Sequence, residues 1–285
     1  MDLLAAKQVD AFRHDGYFVV RSLLGERLVE ACRRALSDLA ADRLERRETK
    51  IWLEPGFDID DIPAERREPY IRKYMDYVED APALKAAAMS RRLHAILDQL
   101  LGCGRVLFQE MALVKPPRIG SEKPWHQDAS YFRLTDPALI AGVWIALDPA
   151  RRDNGCMEVI PGSHHGGAAP HVHDNDLSRC AIDAAAVGRE AAVALEMEPG
   201  DGLIFHALLH HSTGPNRSNR HRRAIQFHYH QSGAVWGSLD DHRRLFHHAD
   251  GRYAGCTALH GEAADAAYVY RGPLPRPIVP MDEPA

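Results

Sequence analysis

The 285-residue sequence has no pair of cysteines at the close spacing that metal-binding and redox motifs use. A disulfide framework normally needs an even number of cysteines, and a structural zinc site normally needs CxxC pairs. We therefore expect neither of these, and we expect a reducing compartment. The cysteines lie far apart and are odd in number: Cys32, Cys103, Cys156, Cys180 and Cys256.

Long hydrophobic runs and an excess of basic residues are also missing. No apolar stretch approaches the roughly 20 residues that a membrane-spanning helix needs. Asp2, Lys7 and Asp10 interrupt the N-terminus where a signal peptide would have its apolar core. The formal net charge of −5 favours neither a nucleic acid nor an anionic membrane as partner. The expected location is the cytoplasm.

The pattern of the chain changes near Arg105. Before it, apolar residues recur at helical spacing in 9–13, 28–39 and 82–101, and the β-rich run GYFVVRSLL lies between the first two. After it, short runs of strand-forming residues alternate with Gly- and Pro-rich turns, which is typical of a β-sandwich or barrel. The sequence predicts one domain, 1–285, with a helix-rich part over about 1–104, a β-core over about 105–232 and a C-terminal extension over 233–285.

Two segments depart from this pattern. Residues 52–70 carry acids and prolines and are predicted to form a loop, whose position before the sheet makes it a candidate lid. Residues 171–190 are polar and alanine-rich and are predicted to be an insertion over one rim of the β-core. The sequence does not decide which of the two covers an active site. The Pro-rich tail from Tyr268 is expected to be extended.

Histidine is abundant, with 17 residues that crowd the second half of the chain. In the extended segment WHQD, alternation places His126 and Asp128 on the same side, where they can take adjacent positions on one metal. The segment GDGLIFHALLHH adds His206, His210 and His211 as candidates for a third ligand. Two histidines and one carboxylate leave coordination positions open, which suits an iron(II) that must bind a co-substrate and oxygen.

A dicarboxylate co-substrate on such a metal needs a fixed cation for its far end. Arginine suits this role because its planar group meets a carboxylate with two parallel hydrogen bonds. Arg222 opens the predicted strand RRAIQFHY, eleven residues after His211. Alternation then places Gln226 and His228 on the same face as Arg222.

Three segments of the chain resemble the phytanoyl-CoA dioxygenase family: PWHQDASYF, GVWIALDPARRDNGCMEVIPGSHHG and GDGLIFHALLHHSTGPNRSNRHRRAIQFHY. The resemblance extends from about Asp15 to about Tyr229. It implies an enzyme that uses Fe(II), 2-oxoglutarate and O2. It also implies a mainly β fold with a helical N-terminal layer, in which the β-core is a double-stranded β-helix, a jelly-roll-like or cupin-like barrel.

The resemblance also implies roles for individual residues. His126 and Asp128 match the first two iron ligands, and His211, before a turn of small residues that ends in Asn216, matches the third. Arg222 matches the arginine that holds the distal carboxylate of 2-oxoglutarate. The implied co-substrate site further contains Thr213, Gln109 and Lys115. The residues expected to line the substrate are Tyr131, Phe132, Trp144, Gln226 and His228, with a place in the core as the alternative for Trp144.

Several activities are compatible with this set of residues. The expected reaction is hydroxylation of an unactivated carbon in a small organic molecule, with release of succinate and CO2. The same iron site would also serve desaturation, cyclisation or epimerisation. A metal-binding sensor barrel would keep the three ligands without the arginine, and a zinc hydrolase would need no oxygen. Neither the substrate nor the oligomeric state follows from the sequence.

Overall fold

Thirteen strands and five helices are found in residues 6–174, 179–183 and 186–256, the part of the chain that this computed structural model describes. The helices are α1 (Ala6–Asp15), α2 (Glu26–Ala40), α3 (Pro82–Ala88), α4 (Arg91–Leu101) and α5 (Leu239–Leu245). The strands are β1 (Tyr17–Val20), β2 (Lys50–Leu53), β3 (Ile71–Met75), β4 (Val106–Lys115), β5 (Lys123–His126), β6 (Ile140–Ala146), β7 (Met157–Val159), β8 (His171–Asp174), β9 (Arg179–Ile182), β10 (Val193–Leu195), β11 (Gly202–His206), β12 (His211–Thr213) and β13 (Arg222–His230).

Two antiparallel sheets form the β-core. The larger has seven strands in the order β1-β11-β6-β13-β4-β3-β2, and the smaller has four in the order β10-β7-β12-β5. Buried side chains of both sheets, among them Trp144 and Phe205 from the larger and Met157 and Val159 from the smaller, pack into one cluster. The sheets therefore face each other as in a jelly roll.

Helices cover the outer face of the larger sheet. Leu28 and Leu36 of α2 and Leu97 of α4 belong to the same buried cluster as Ile225 and Phe227 of β13. On β13 these two residues alternate with the inward-facing Ala224 and Gln226, so the strand is buried on both faces. The predicted helical layer is confirmed. The N-terminal part also supplies β1, β2 and β3 to the larger sheet. The helix-rich part and the β-core that were expected on either side of residue 104 therefore share one sheet.

The helix expected over 82–101 is two helices, α3 and α4, because the chain leaves the helical conformation at Ser90. The break frees the carbonyl of Ala88 at the end of α3. This carbonyl accepts hydrogen bonds from the Tyr229 hydroxyl at 2.6 Å and from His94 Nε2 at 2.9 Å. Both donors are buried, so they compensate for the lost intrahelical bond where water cannot. Helical periodicity does not reveal a break that tertiary contacts stabilise.

The two segments that depart from the strand pattern contain strands. Trp52 and Leu53 belong to β2 at the edge of the larger sheet, and the rest of 52–70 includes two short 3₁₀ turns. Residues 171–190 contain the hairpin β8–β9. Ile182 and Val187 pack with Trp125 of β5, so this segment covers the outer face of β5. A lid role for either segment stays a prediction.

The expectation that the chain has no disulfide is wrong. Cys180 and Cys256 form one, with their Cα atoms 5.7 Å apart, although 76 residues separate them in the sequence. The pairing arises because the β8–β9 hairpin packs beside the segment that follows α5, and sequence spacing carries no sign of this. The prediction of a reducing compartment remains untested. The Pro-rich tail lies outside the described residues.

No helix in the described ranges is both long enough and apolar enough to cross a membrane.

Candidate active site

The pairing of β5 with β12 sets the geometry of the candidate metal site. The Cα atoms of His126 and His211 are direct partners across the two strands, and the register shifts between His211 and Thr213. Asp128 opens a 3₁₀ turn, 128–131, just beyond the end of β5. One strand pair and the turn after it therefore bring together three side chains that span 86 positions of the sequence.

The three side chains converge on one point. The Oδ1 atom of Asp128 lies 3.3 Å from His126 Nε2 and 3.5 Å from His211 Nε2. One ligand atom from each residue lies within 4.8 Å of the others, and all three residues are buried. Among the described residues no other group of three histidine, cysteine or acidic side chains meets this condition. The distances fit one ion bound between the three donor atoms.

Backbone carbonyls fix how the two imidazoles are oriented. His126 Nδ1 donates to the Pro124 carbonyl at 2.8 Å, and His211 Nδ1 donates to the Leu209 carbonyl at 2.9 Å. With the proton on Nδ1, the lone pair of Nε2 points at the site, as a metal requires.

The pKa values of His126 and Asp128 also favour the binding of a cation. Burial lowers the pKa of His126 to about 3, and the neighbouring His211 adds to that effect. Burial acts to raise the pKa of Asp128, but His211 and His228 outweigh it and hold that pKa well below its usual value. At neutral pH the site therefore offers a neutral imidazole at His126 and a carboxylate, the protonation states that bind metals.

The second oxygen of Asp128 is held by the larger sheet. His228 Nε2 lies 2.8 Å and Gln226 Nε2 lies 3.2 Å from Asp128 Oδ2, so both donate to the carboxylate. These residues were expected to line the substrate, and both are hydrogen-bonded to the candidate metal ligand. They leave Oδ1 directed towards the two histidines, which is the usual work of groups that support metal ligands.

The expected aromatic lining divides into two parts. Phe132 is 3% exposed and packs on His228 and Phe108, with both ring centroids 4.9 Å away, so it supports the histidine that holds Asp128. Tyr131 is half-buried, and its ring centroid lies 6.2 Å from that of His126. Of the two, Tyr131 is the more exposed, and a role in lining the substrate stays a prediction for both.

Arg222 lies deep on the inner face of the larger sheet, opposite Lys115 on β4. It is 2% exposed, and Nη1 donates to the Leu113 carbonyl at 3.1 Å, but Nε has no hydrogen-bond partner among the described residues. Its Cζ lies 5.5 Å from the ring centre of the fully buried Trp144. Burial lowers the pKa of Arg222 to about 10, so the group is charged at neutral pH.

Other predicted co-substrate residues surround this arginine. Lys115 is buried, donates to the Ser121 carbonyl, and has a pKa well below its usual value because of burial and the charge of Arg222. Gly155 leaves room for the Lys115 side chain, since a Cβ at position 155 would lie 2.7 Å from Lys115 Cδ. Thr213 is buried on β12, and Gln109 on β4 has a buried Oε1 with no partner within the described ranges. The buried carboxylate of Glu54 is an acidic neighbour of both Lys115 and Arg222, and its charge opposes the lowering of both pKa values. The unpaired Nε of Arg222 and Oε1 of Gln109 are costly unless a further polar group binds there.

Gln127, between the two ligands of the HxD motif, has a role that sequence reasoning missed. Its side chain is fully buried on the opposite side of the strand. Nε2 donates to the carbonyls of Gly167 and Leu208 at 2.8 Å, and Oε1 accepts from the Ala169 amide at 2.8 Å. The glutamine thus ties the HxD segment to two neighbouring loops. Alternation predicts that it faces away from the metal but cannot identify its partners.

The remaining histidines of the motifs lie outside the triad. His206 Nδ1 accepts from the Leu208 amide at 3.0 Å, and its ring stacks 5.0 Å from that of His164. His164 Nε2 donates to the Arg13 carbonyl and links the PGSH turn to α1. The backbone amide of His210 donates to Ser163 Oγ at 2.8 Å. Of the three candidates for a third ligand, the structure brings His211 to the site.

Comparison with known families gives a match over most of the chain. The sequence model of the family described as phytanoyl-CoA dioxygenase matches residues 12–224. The probable phytanoyl-CoA dioxygenase of Caenorhabditis elegans is 27% identical over 250 residues, covering 80% of this chain and 75% of the relative. The peroxisomal phytanoyl-CoA dioxygenase of Homo sapiens is 27% identical over 237 residues, covering 80% and 69%.

Solved structures confirm the fold class. EctD from S. alaskensis, determined with bound Fe, superposes with a TM-score of 0.66 at 23% identity, covering 82% of this chain and 79% of EctD. The carbocyclase SnoK of nogalamycin biosynthesis gives 0.63 at 22% identity, covering 82% and 86%. EvdO2 from Micromonospora carbonacea var. aurantiaca, complexed with 2-oxoglutarate, gives 0.64 at 25% identity, covering 86% and 98%. The likeness to EctD and SnoK is one of fold alone, the predicted double-stranded β-helix.

Proposed function

Because the chain belongs to the phytanoyl-CoA dioxygenase family, we propose that it is an iron(II)- and 2-oxoglutarate-dependent oxygenase whose metal is held by His126, Asp128 and His211. The observation that carries this proposal is the convergence of these three donor atoms within 4.8 Å of one another in a buried site. Two neutral imidazole nitrogens and one carboxylate oxygen are the donor set of non-haem iron oxygenases, which leaves positions for a co-substrate and oxygen.

The donor set and its surroundings fit this metal. The Nδ1 hydrogen bonds of His126 and His211 aim both Nε2 atoms at the site, and His228 and Gln226 hold the free oxygen of Asp128. When bound, iron supplies oxygen activation coupled to decarboxylation of the co-substrate. The chain's own part is to orient the reactants and to keep water away.

Arg222 is the proposed partner of the distal carboxylate of 2-oxoglutarate. It is a buried cation at neutral pH, and its Nε lacks a partner among the residues that the structure describes. A carboxylate there would accept charge-assisted hydrogen bonds and offset the cost of burying the guanidinium. Lys115, Thr213 and Gln109 are proposed to complete this end of the site, with Trp144 as its wall.

The proposed reaction is hydroxylation of an unactivated carbon of a small organic molecule, with release of succinate and CO2. Asp128 supports oxygenation, because the carboxylate occupies the coordination position that a halide would need. Desaturation or cyclisation on the same site is the second candidate, favoured by the fold shared with the carbocyclase SnoK. A metal-binding sensor would need no cation for a co-substrate carboxylate, so it would not account for the buried Arg222. A cytoplasmic location is proposed from the sequence alone.

Anaerobic titration tests this function. Iron(II) followed by 2-oxoglutarate is expected to give a weak visible charge-transfer band, and admission of oxygen with a candidate substrate is expected to give succinate. His211→Ala should abolish the band, because it removes one of three donors. His210→Ala is the matched control, being a buried histidine one position away on the chain, and should keep the band. Equal bands in the two variants, or succinate formation by a zinc-loaded protein, would contradict the proposal.

A further inference from the structure

Two elements outside the sheets of the β-core hold the turn that carries Asp128, and we call them the two supports: the β8–β9 hairpin and the segment 246–256 after α5. From the hairpin, His171 Nε2 accepts a hydrogen bond from the Gln127 amide at 3.1 Å. From the segment after α5, the Cys256 amide donates to the Ser130 carbonyl at 2.8 Å. These two bonds flank Asp128 along the chain, so the supports fix the backbone from which its carboxylate extends.

The contact from the hairpin has a defined direction. His171 is buried, and its Nδ1 donates to the Ala169 carbonyl at 2.8 Å. With the proton on Nδ1, the lone pair of Nε2 is left for the Gln127 amide. Ile182, the Cα partner of His171 on β9, packs with Trp125 of β5. The hairpin is thus attached both to the strand that carries His126 and to the residue that follows this strand.

The segment after α5 also contacts the turn through a side chain. Ser130 Oγ donates to the Gln127 carbonyl at 2.6 Å, a bond that spans Asp128. The same oxygen lies 2.9 Å from Cys256 Sγ, and both residues are buried. The sulfur of Cys256 therefore packs directly on the side chain that closes the turn.

The disulfide between Cys180 and Cys256 joins the two supports. Cys180 lies on β9, and Cys256 is the residue whose amide and sulfur contact Ser130. A backbone hydrogen bond from the His171 amide to the Ala254 carbonyl, at 2.9 Å, runs beside it. Because 76 residues separate the cysteines in the sequence, the covalent bond limits how far the supports can move apart.

We propose that Cys180 and Cys256 are positioning residues for Asp128, because their disulfide holds together the two supports of the turn that carries this ligand. The inference rests on the proposed function, which supplies the metal, and adds a dependence of iron affinity on the oxidation state of the two cysteines. A dithiol reverses the link: the S–S bond breaks, the dithiol gives two electrons and two protons, both cysteines become thiols and the dithiol becomes a disulfide. Both cysteines are buried, so this exchange needs one support to move first.

A disulfide can instead stabilise a protein only by restricting its unfolded chain. In that case the folded protein without the disulfide would bind iron as the wild type does, and its backbone near Asp128 would open no more often. A positioning role predicts a change in the folded protein at that turn. Both experiments below are therefore made on folded, anaerobic protein, checked by circular dichroism.

Iron(II) affinity, measured by competition with a chelator, is the first test. Cys180→Ala and Cys256→Ala are each expected to weaken iron binding by about tenfold or more, the size of effect that groups supporting metal ligands have. Cys32→Ala is the matched control, since Cys32 is a buried cysteine of α2 in the helical layer, and it should change the affinity less than twofold. Equal iron affinity in the three variants would overturn the proposal.

Ser130→Ala covers the case in which the disulfide variants do not fold. It keeps the disulfide and removes the hydroxyl that contacts both Cys256 Sγ and the Gln127 carbonyl. The expected loss of iron affinity is again about tenfold. Wild-type affinity in Ser130→Ala would show that the disulfide does not act through the turn, which also overturns the proposal.

Amide hydrogen exchange of the metal-free protein separates this inference from the proposed function. In Cys180→Ala the amides of Gln127 and Cys256 should exchange at least about tenfold faster, and the amide of Phe227, within β13, should change less. A wild type that binds no iron(II) would overturn the proposed function but would leave this experiment intact. Faster exchange confined to Gln127 and Cys256 supports the positioning role by itself, whereas the same increase at all three amides overturns it.

Discussion

The inner surface of the larger sheet carries cations at two depths, and their surroundings differ. Arg222 and Lys115 are almost wholly buried beside Trp144, while Lys73 is half-buried at the edge strands beside Trp52. The deep pair is fixed by the backbone, through hydrogen bonds to the carbonyls of Leu113 and Ser121. Lys73 instead contacts the ring of Trp52, and Lys123 of the smaller sheet donates to the Tyr131 hydroxyl.

This difference bears on the kind of ligand. A buried, pre-positioned guanidinium suits a molecule that is the same in every turnover, because a poor fit would leave the charge uncompensated. The deep end therefore suits the proposed co-substrate.

Removing the deep charge is expected to give the largest effect. Arg222→Met should weaken 2-oxoglutarate binding by about 2–5 kcal/mol, which is about 30-fold to several thousand-fold, while iron binding persists. Lys73→Met should leave 2-oxoglutarate affinity within about twofold. Titration of the charge-transfer band measures both. Similar losses in the two variants would mean that depth does not distinguish the two cations.

The next effect concerns the hydrogen bonds that hold Asp128. His228→Asn should weaken iron(II) binding by about 10- to 100-fold, because groups that support metal ligands have effects of that size. His230→Asn is the control: His230 is two positions on along β13 and also buried, but it packs against Phe108 and Trp236. The expected difference is in iron affinity, measured by competition with a chelator. Equal losses would mean that packing alone explains the effect.

Much of the fold and of the metal triad could be predicted from the sequence because both depend on local periodicity and on motifs. Alternation in WHQD placed His126 and Asp128 together, and the family resemblance, through the turn before Asn216, implied His211. Alternation also placed Arg222, Gln226 and His228 on one face of β13. All of these residues are buried, and Asp128 is bonded to Gln226 and His228.

What the sequence could not supply is the partner of each inward-facing residue. The period of two gives the face of a strand but not the side chain that meets it from the other sheet. His228 was therefore expected to line the substrate, although it holds Asp128. For the same reason the disulfide between Cys180 and Cys256 was missed.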